Sequence, residues 1–479
     1  MTDRRRWTLL VVCLATGVLL LNVSAPSVAL PAIGRGLGAE LGVVQWVVSG
    51  YSLALAATLL TAGTLADLVG RRRMFLGGLG GFAAASLLCA AAPSAPALVA
   101  GRAIQGMAGA VLLSSSLALL AQDFRGAERA GALGVWGATV AAAFTVGPLE
   151  GGLLTDSLGW RAIFALDAAV ALACLPVAVR HLRESRDPDA DRVDWPGTAT
   201  LSAGLFLGVF ALTRGGAAGW GSGPILASAA GAALLLAAFV AVERGQREPM
   251  LDLRLFAIPT FTGASAVVMV LAASTFGPFL YLTLFLLDAA GASPTTVGLE
   301  LAPLSVVALV VSVLGGRFAR VLPVRAALPA GQLLCAAGLL AMRGLEASSP
   351  WTVLLPGLLV MGVGIGLSNP AVTYAALGVV PATRSGMASG VSNTFRQVGI
   401  AVGIATLGAL LPARTQGDPA AFAAALDQIL LVSAAIAAAG AVLAATLVRQ
   451  RDFVVDPVPD RRVWRPESVD RRPKADSKP

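Results

Sequence analysis

The chain is 479 residues long, 56% hydrophobic and 13% charged, with a mean hydropathy of +0.78. A soluble domain carries about 25% charged residues, so water is not the main solvent here; the apolar content excludes a disordered chain, and 54 glycines without a three-residue period exclude a collagen-like one. The net charge of +8 sits in short runs between long apolar stretches, which reads as loop charge orienting membrane helices rather than as a nucleic-acid surface.

A spanning helix needs about 20 mostly apolar residues. Fourteen spans are predicted, at roughly 8–31, 44–66, 74–92, 97–121, 131–155, 161–179, 195–213, 223–242, 260–286, 295–315, 324–342, 352–378, 387–411 and 427–448. The aromatic content of 6% and the Ala/Leu/Val/Gly bias do not suit an outer-membrane barrel, so the fold class is an all-α integral membrane protein. With the N-terminus inside and the tail left out, inner loops hold nineteen arginines and outer loops five, which puts both termini in the cytoplasm. Trp7, Trp160, Trp195, Trp220 and Trp351 stand at span ends, as interfacial anchors do.

Polar stretches divide the chain into a six-helix bundle (1–179), a linker segment with two additional helices (180–259), a second six-helix bundle (260–450) and a disordered cytoplasmic tail (451–479). Six plus two plus six implies pseudo-two-fold symmetry. Gly63–Arg72 and Gly316–Arg325 each follow the second helix of a bundle and share Gly, Ala and the last Arg in register. Repeated bundles around a midplane site are the architecture of secondary transporters. The four cysteines stand far apart in apolar stretches, and the one histidine, His181, lies in a charged loop and reads as a solvated side chain. Neither offers a metal site or a nucleophile with its base.

Polar residues inside the spans point to chemistry. The first span carries Asn22, Ser24 and Ser27 ahead of Pro31. The turn after the second holds Gly63, Asp67, Gly70 and Arg71 to Arg73: glycines for turning, an acid to cap or pair, and arginines for the anionic leaflet. Arg102, Gln105 and Gly106 share one face of the fourth span; an arginine in the bilayer costs about 2.5–3.5 kcal/mol on the insertion scale, so it pairs or lines a wet cavity. In the fifth, Gly147 and Gly151 make a close-packing face beside Gly152, and Pro148 bends the helix. Glu150 lies about 8 Å of helix from the outer end and must be protonated, paired or hydrated there. Glu300 lies at similar depth on the tenth span. Arg102, Glu150 and Glu300 are therefore predicted to form an outer-half proton or cation site, with Asp167 of the sixth span a further candidate. In the thirteenth span Asn393, Arg396 and Gln397 share a face between the small pairs Gly386/Gly390 and Gly399/Gly403.

The 63–73 pattern resembles the inner loop between helices 2 and 3 of the major facilitator superfamily, with Leu68 where the family usually has Arg or Lys. Arg102-x-x-Gln105-Gly106 resembles the superfamily's proton-coupling motif. Gly147-Pro148-x-x-Gly151-Gly152 resembles the element of its drug:proton antiporters, with Ala143 at a usual Gly position. The segments 21–31 and 385–403 resemble the 14-span drug exporters, the first with Asn22 in place of Asp. Together these cover about residues 1–450.

The resemblance implies a conformational latch at Gly63, Asp67, Gly70 and Arg71, and cavity or bundle-interface roles for Asn22, Gln105, Asn393, Arg396 and Gln397. Asn22 cannot carry a proton, so that role is expected at Glu150 or Glu300. The implied function is a secondary transporter of the bacterial plasma membrane, not an enzyme. It would export drug-like, amphipathic or cationic molecules in exchange for protons, with cavity acids attracting the cation. The proton gradient supplies the energy; no cofactor, metal or nucleic acid is expected, and the protein would work as a monomer in the bilayer. A dedicated exporter of one self-made metabolite or antibiotic is the alternative. A proton-coupled importer suits the antiporter element less well.

Overall fold

The computed structural model describes residues 3–124, 126–186, 193–246, 249, 251–288, 291–318, 323–346, 349–380, 385–411 and 418–453. These residues form fourteen α-helices: α1 (Asp3–Leu37), α2 (Leu41–Val69), α3 (Arg71–Ala90), α4 (Ala95–Asp123), α5 (Gly126–Leu158), α6 (Arg161–His181), α7 (Trp195–Ala218), α8 (Gly223–Gly245), α9 (Pro259–Asp288), α10 (Pro294–Phe318), α11 (Val324–Ala341), α12 (Leu355–Leu377), α13 (Ser385–Gly408) and α14 (Pro419–Leu447). Among the described residues twelve helices meet the length and hydropathy required to cross a membrane, and α5 and α13 are not among those twelve.

Each predicted span falls on one helix, and the largest difference is in α14. It was expected from residue 427 but begins at Pro419. Asp418 accepts hydrogen bonds from the Ala420 and Ala421 N–H groups, and Pro419 takes the first helical position, where its missing N–H is harmless. Asp427 therefore sits inside the helix, where it pairs with Arg343 at 2.6 Å.

In lipid, apolar burial alone does not drive helices together; close packing and hydrogen bonds do. α1 packs on α4, α5 and α6, α4 on α2 and α3, and α3 on α6. α9 packs on α13 and α14, α11 on α12 and α14, and α10 on α12. Two seams join these halves, α5 on α10 and α2 on α13. Along the seams the last turns of α5 and α13 meet the first turns of α10 and α2. That is the far end of the molecule; Asp3 and Phe453 lie at the near end.

The two additional helices are not a loose linker. α7 lies across the second seam, on both α2 and α13. The Thr61 and Thr198 hydroxyls are 2.6 Å apart, and Ser202 Oγ donates to Ala57 O at 3.3 Å. α8 packs on α7. Residues 187–192, 247–248 and 250 of the linker loops, 319–322 of the Gly316–Arg325 repeat and 454–479 of the tail lie outside the described residues.

Trp7, Trp195 and Trp220 are exposed, but Trp160 is buried. It stands at the start of α6 against Gly36 of α1 and edge-on to Phe164, so it is a packing residue rather than an anchor. His181 is likewise not free in solvent: it closes α6 and stacks on Trp7 at 5.5 Å.

Candidate functional site

Arg102 enters α4 roughly 10 Å of helix from its far end and is fully buried. Its place is dictated by a proline on another helix. Pro26 has no N–H, so the α1 carbonyl four residues earlier, Asn22 O, lacks a helical donor. Arg102 Nη2 supplies one at 2.7 Å. Nη1 donates to Asn22 Oδ1 at 2.8 Å and to Gln105 Oε1 at 2.6 Å, and Nε donates to Val47 O at 2.8 Å. The guanidinium stands 4.2 Å from the centre of the Tyr51 ring, a cation–π contact. Gln105 Nε2 passes the network on to Ser86 Oγ of α3 at 2.8 Å. A Cβ on Gly106 would run into Tyr51 O, so only glycine lets α2 come close enough for Val47 O to reach the arginine. The Arg-x-x-Gln-Gly spacing thus ties four helices to one charge.

Asp167 of α6 is buried near Asn22 and within electrostatic reach of Arg102 and Glu150, while Asn22 Nδ2 donates to Val18 O at 3.2 Å. Its Oδ2 has no partner. Glu150 is half-buried on α5, with Oε2 also unpartnered. Glu300 is half-buried on α10 and is not joined to this group among the described residues. The helices bring Asp167 and Asn22 to the arginine in place of Glu300, because α1 and not α10 packs on α4, with α6 behind it.

The antiporter-like element wedges α5 between α1 and α10. A Cβ on Gly147 would collide with Ser24 Oγ, and one on Gly151 with Ala25 O, both on α1; one on Gly152 would collide with Pro294 O of α10. Across the seam, a Cβ on Gly298 would stand 2.9 Å from Pro148 O. Asp156 of α5 accepts from the Thr295 N–H at 2.8 Å, capping α10 from a neighbouring helix. At the other seam Gln45 Nε2 donates to Tyr281 Oη at 3.2 Å, and Tyr281 Oη donates to Ile404 O at 2.7 Å.

At the near end Asp67 pairs with Arg71 at 2.8 Å, and Gly63 faces Ser114 of α4. Gly70 has φ +121°, a conformation open to glycine, and turns α2 directly into α3. A Cβ there would stand 2.6 Å from Glu184 Oε1. Glu184 accepts from the Arg72 and Arg73 N–H groups at 3.0 and 3.2 Å, so a carboxylate from beyond α6 caps α3. No local pattern marks Glu184, Asp156 or Tyr51 as partners, because each acts on a helix distant in sequence.

A cavity opens at mid-depth between α1, α9, α10, α12 and α13. Its wall is mostly apolar, with Leu271, Phe279, Leu304 and Leu309, and its polar groups include Ser24, Thr275, Asn369 and Arg396. Arg396 Nη1 donates to Asn369 Oδ1 at 2.8 Å. Asn393 turns back to Ser389 O at 3.1 Å, and Gln397 is buried away from the cavity, so one member of the shared face reaches it. Gly399 and Gly403 serve close packing instead: Cβ atoms there would collide with Met269 O and stand 2.6 Å from Ala273 Cα of α9. No Asp or Glu lines the cavity among the described residues, so the expected cation-attracting acids are not on its wall.

Residues 12–404 and 262–475 match the profile of the Major Facilitator Superfamily. The multidrug resistance protein Stp of Mycobacterium tuberculosis is 35% identical over 411 residues, 85% of this chain and 76% of that one. The tetracenomycin C resistance and export protein of Streptomyces glaucescens is 34% identical over 416 residues, 86% and 77% of the two chains. Among solved structures, a bacterial homologue of the human lysosomal transporter Spinster superposes with a TM-score of 0.66 at 18% identity, covering 95% of this chain and 99% of that one.

Proposed function

The chain belongs to the Major Facilitator Superfamily, and from that footing we propose that it is a proton-driven exporter of amphipathic small molecules working by alternating access. It is a multi-pass membrane transporter, not an enzyme. In the proposed arrangement all fourteen helices cross the membrane, α1–α6 and α9–α14 are two six-helix bundles related by a pseudo-two-fold axis, and the near end faces the cytoplasm of a bacterium. The monomer is the working unit. Relatives named for multidrug resistance and for tetracenomycin export support the export direction; the second name also favours a single self-made antibiotic as the cargo.

The observation that carries the reading is the mid-depth cavity beside a buried charged group. Ser24 on the cavity wall lies two residues from Asn22, which holds Arg102, with Asp167 close by. A proton arriving on Asp167 removes a charge that faces Arg102 and alters the hold on α1; one arriving on Glu150 removes a charge that faces Asp167. α1 carries that change to the cavity and, through Gly147 and Gly151, to α5. Opening the far end requires Gly298 to leave Leu149 and Gln45 to leave Tyr281. The Asp67–Arg71 turn is the near-end latch.

The test is dye uptake into inside-out vesicles under an imposed pH gradient. Accumulation abolished by a protonophore is expected. Asp167→Asn and Glu150→Gln should each weaken the dependence on the gradient. Unchanged proton dependence in both variants overturns the coupling group, and uptake that ignores the protonophore overturns antiport.

A further inference from the structure

The cavity wall holds an arginine whose charge nothing in the described structure answers. We propose that the molecule carried is an amphipathic organic anion, its acidic head held by Arg396 with Thr275 beside it; this rests on the exporter reading and names its substrate class.

The two membrane-embedded arginines make the case by contrast. Arg102 is spent on structure: four acceptors surround it, and an acid lies beside it. Arg396 stands roughly 16 Å of helix from the start of α13, where charge is tolerated only against a partner or in a wet cavity. Among the described residues its one hydrogen-bond acceptor is the neutral amide of Asn369, on one of its five N–H groups. It makes no ion pair among the described residues. Asn369 thus aims the guanidinium without neutralising it.

One more hydroxyl belongs to the same wall. Thr275 lines the cavity, and its buried Oγ1 has no hydrogen-bond partner. A buried hydroxyl left unpaired is costly, and a bound acceptor atom would satisfy it. A guanidinium and a hydroxyl on one cavity wall are donors for a carboxylate or a similar oxyanion, for which the planar fork of arginine is suited. Leu271, Phe279, Leu304 and Leu309 supply an apolar wall for the rest of the molecule. A cationic drug would meet a like charge and no carboxylate. The embedded acids Asp167 and Glu150 lie outside this wall, on the helices that would receive protons.

The full-length protein in liposomes, with an imposed pH gradient, would be given two dyes on one xanthene scaffold: carboxyfluorescein, an anion, and rhodamine 6G, a cation. Wild type should carry carboxyfluorescein at least tenfold faster. Arg396→Gln should cut carboxyfluorescein transport at least tenfold, with Arg396→Lys retaining more. Asn369→Asp keeps the arginine but places a carboxylate on it, and should lower carboxyfluorescein transport and binding by a similar factor. It carries the test if Arg396→Gln fails to fold. Preference for rhodamine 6G, no handling of carboxyfluorescein by wild type, or carboxyfluorescein transport unchanged in a folded Arg396→Gln or Asn369→Asp variant overturns the anion site. Dye anisotropy without a gradient separates the two readings. Arg396-dependent carboxyfluorescein binding without gradient-driven transport keeps the site and overturns the exporter; gradient-driven export of rhodamine 6G alone does the reverse.

Discussion

Arg102→Met removes a cation that stands in for a missing backbone donor, and its cost can be worked from the four acceptors it serves. Val47 O keeps the helical N–H of Tyr51 and loses little. Asn22 Oδ1 and Gln105 Oε1 are side-chain amides and can turn toward each other. Asn22 O has no substitute, because residue 26 is proline. Leaving that carbonyl unpaired costs about 1–3 kcal/mol, and loss of the desolvated contact with Tyr51 adds about 2 kcal/mol. The variant should therefore lose about 3–5 kcal/mol, the range found when a buried charge network is broken. The reasoning has a specific repair. Pro26→Ala returns an N–H to Asn22 O, so in the Arg102→Met background it should recover about 1 kcal/mol or more, while in wild type, where the carbonyl is already served, it should gain far less. The double-mutant cycle would be run by reversible unfolding of the purified protein in mixed detergent micelles. A loss under about 1 kcal/mol, or no recovery from Pro26→Ala, refutes the surrogate-donor role.

Gly151→Val forces α5 from the Ala25 carbonyl and should cost about 1–3 kcal/mol by overpacking, whereas Gly80→Ala on α3, with open space beyond its Cα, should gain about 0.5–1 kcal/mol; the same unfolding titration reads both, and equal effects would contradict the packing. Asp156→Ala removes the cap on α10 and should weaken far-end closure by about 1 kcal/mol. On a cysteine-free background, labelling of Ser24→Cys by an impermeant maleimide from the far side should then rise several-fold, and an unchanged rate counts against the seam as the outer gate. Asp67→Asn breaks a pair exposed enough that stability should change by less than about 1 kcal/mol, yet transport should fall several-fold. Full transport with a normal melting curve would remove the latch.

Much of the site was legible as position and little of it as partnership. The missing N–H at Pro26 can be read from the chain, and so can a buried arginine at 102; that one answers the other requires α1 to lie on α4. Arg102, Gln105 and Gly106 share a helical face by spacing alone, so their cooperation was foreseen. Glu150 and Glu300 lie at similar depth and Asp167 is a further acid, and the face each presents separates them: Asp167 lies within electrostatic reach of Arg102, while Glu300 stands apart on α10. The capping acids Glu184 and Asp156 serve helices more than a hundred residues away. Even the start of α14 was readable in Asp418-Pro419, but the charge of Asp427 outweighed that cap in a hydropathy window.

By itself the sequence determined the helices, their order and the residues that break the apolar pattern, because a membrane span is a local matter of length and transfer free energy. Tertiary packing alone decided that α7 closes a seam between the halves, that Arg102 is saturated while Arg396 is not, and that the cavity wall is cationic rather than acidic. Those outcomes depend on which helix face meets which neighbour. In lipid that choice is made by the fit of small residues and the pairing of buried polar groups, contacts that join positions far apart in the chain.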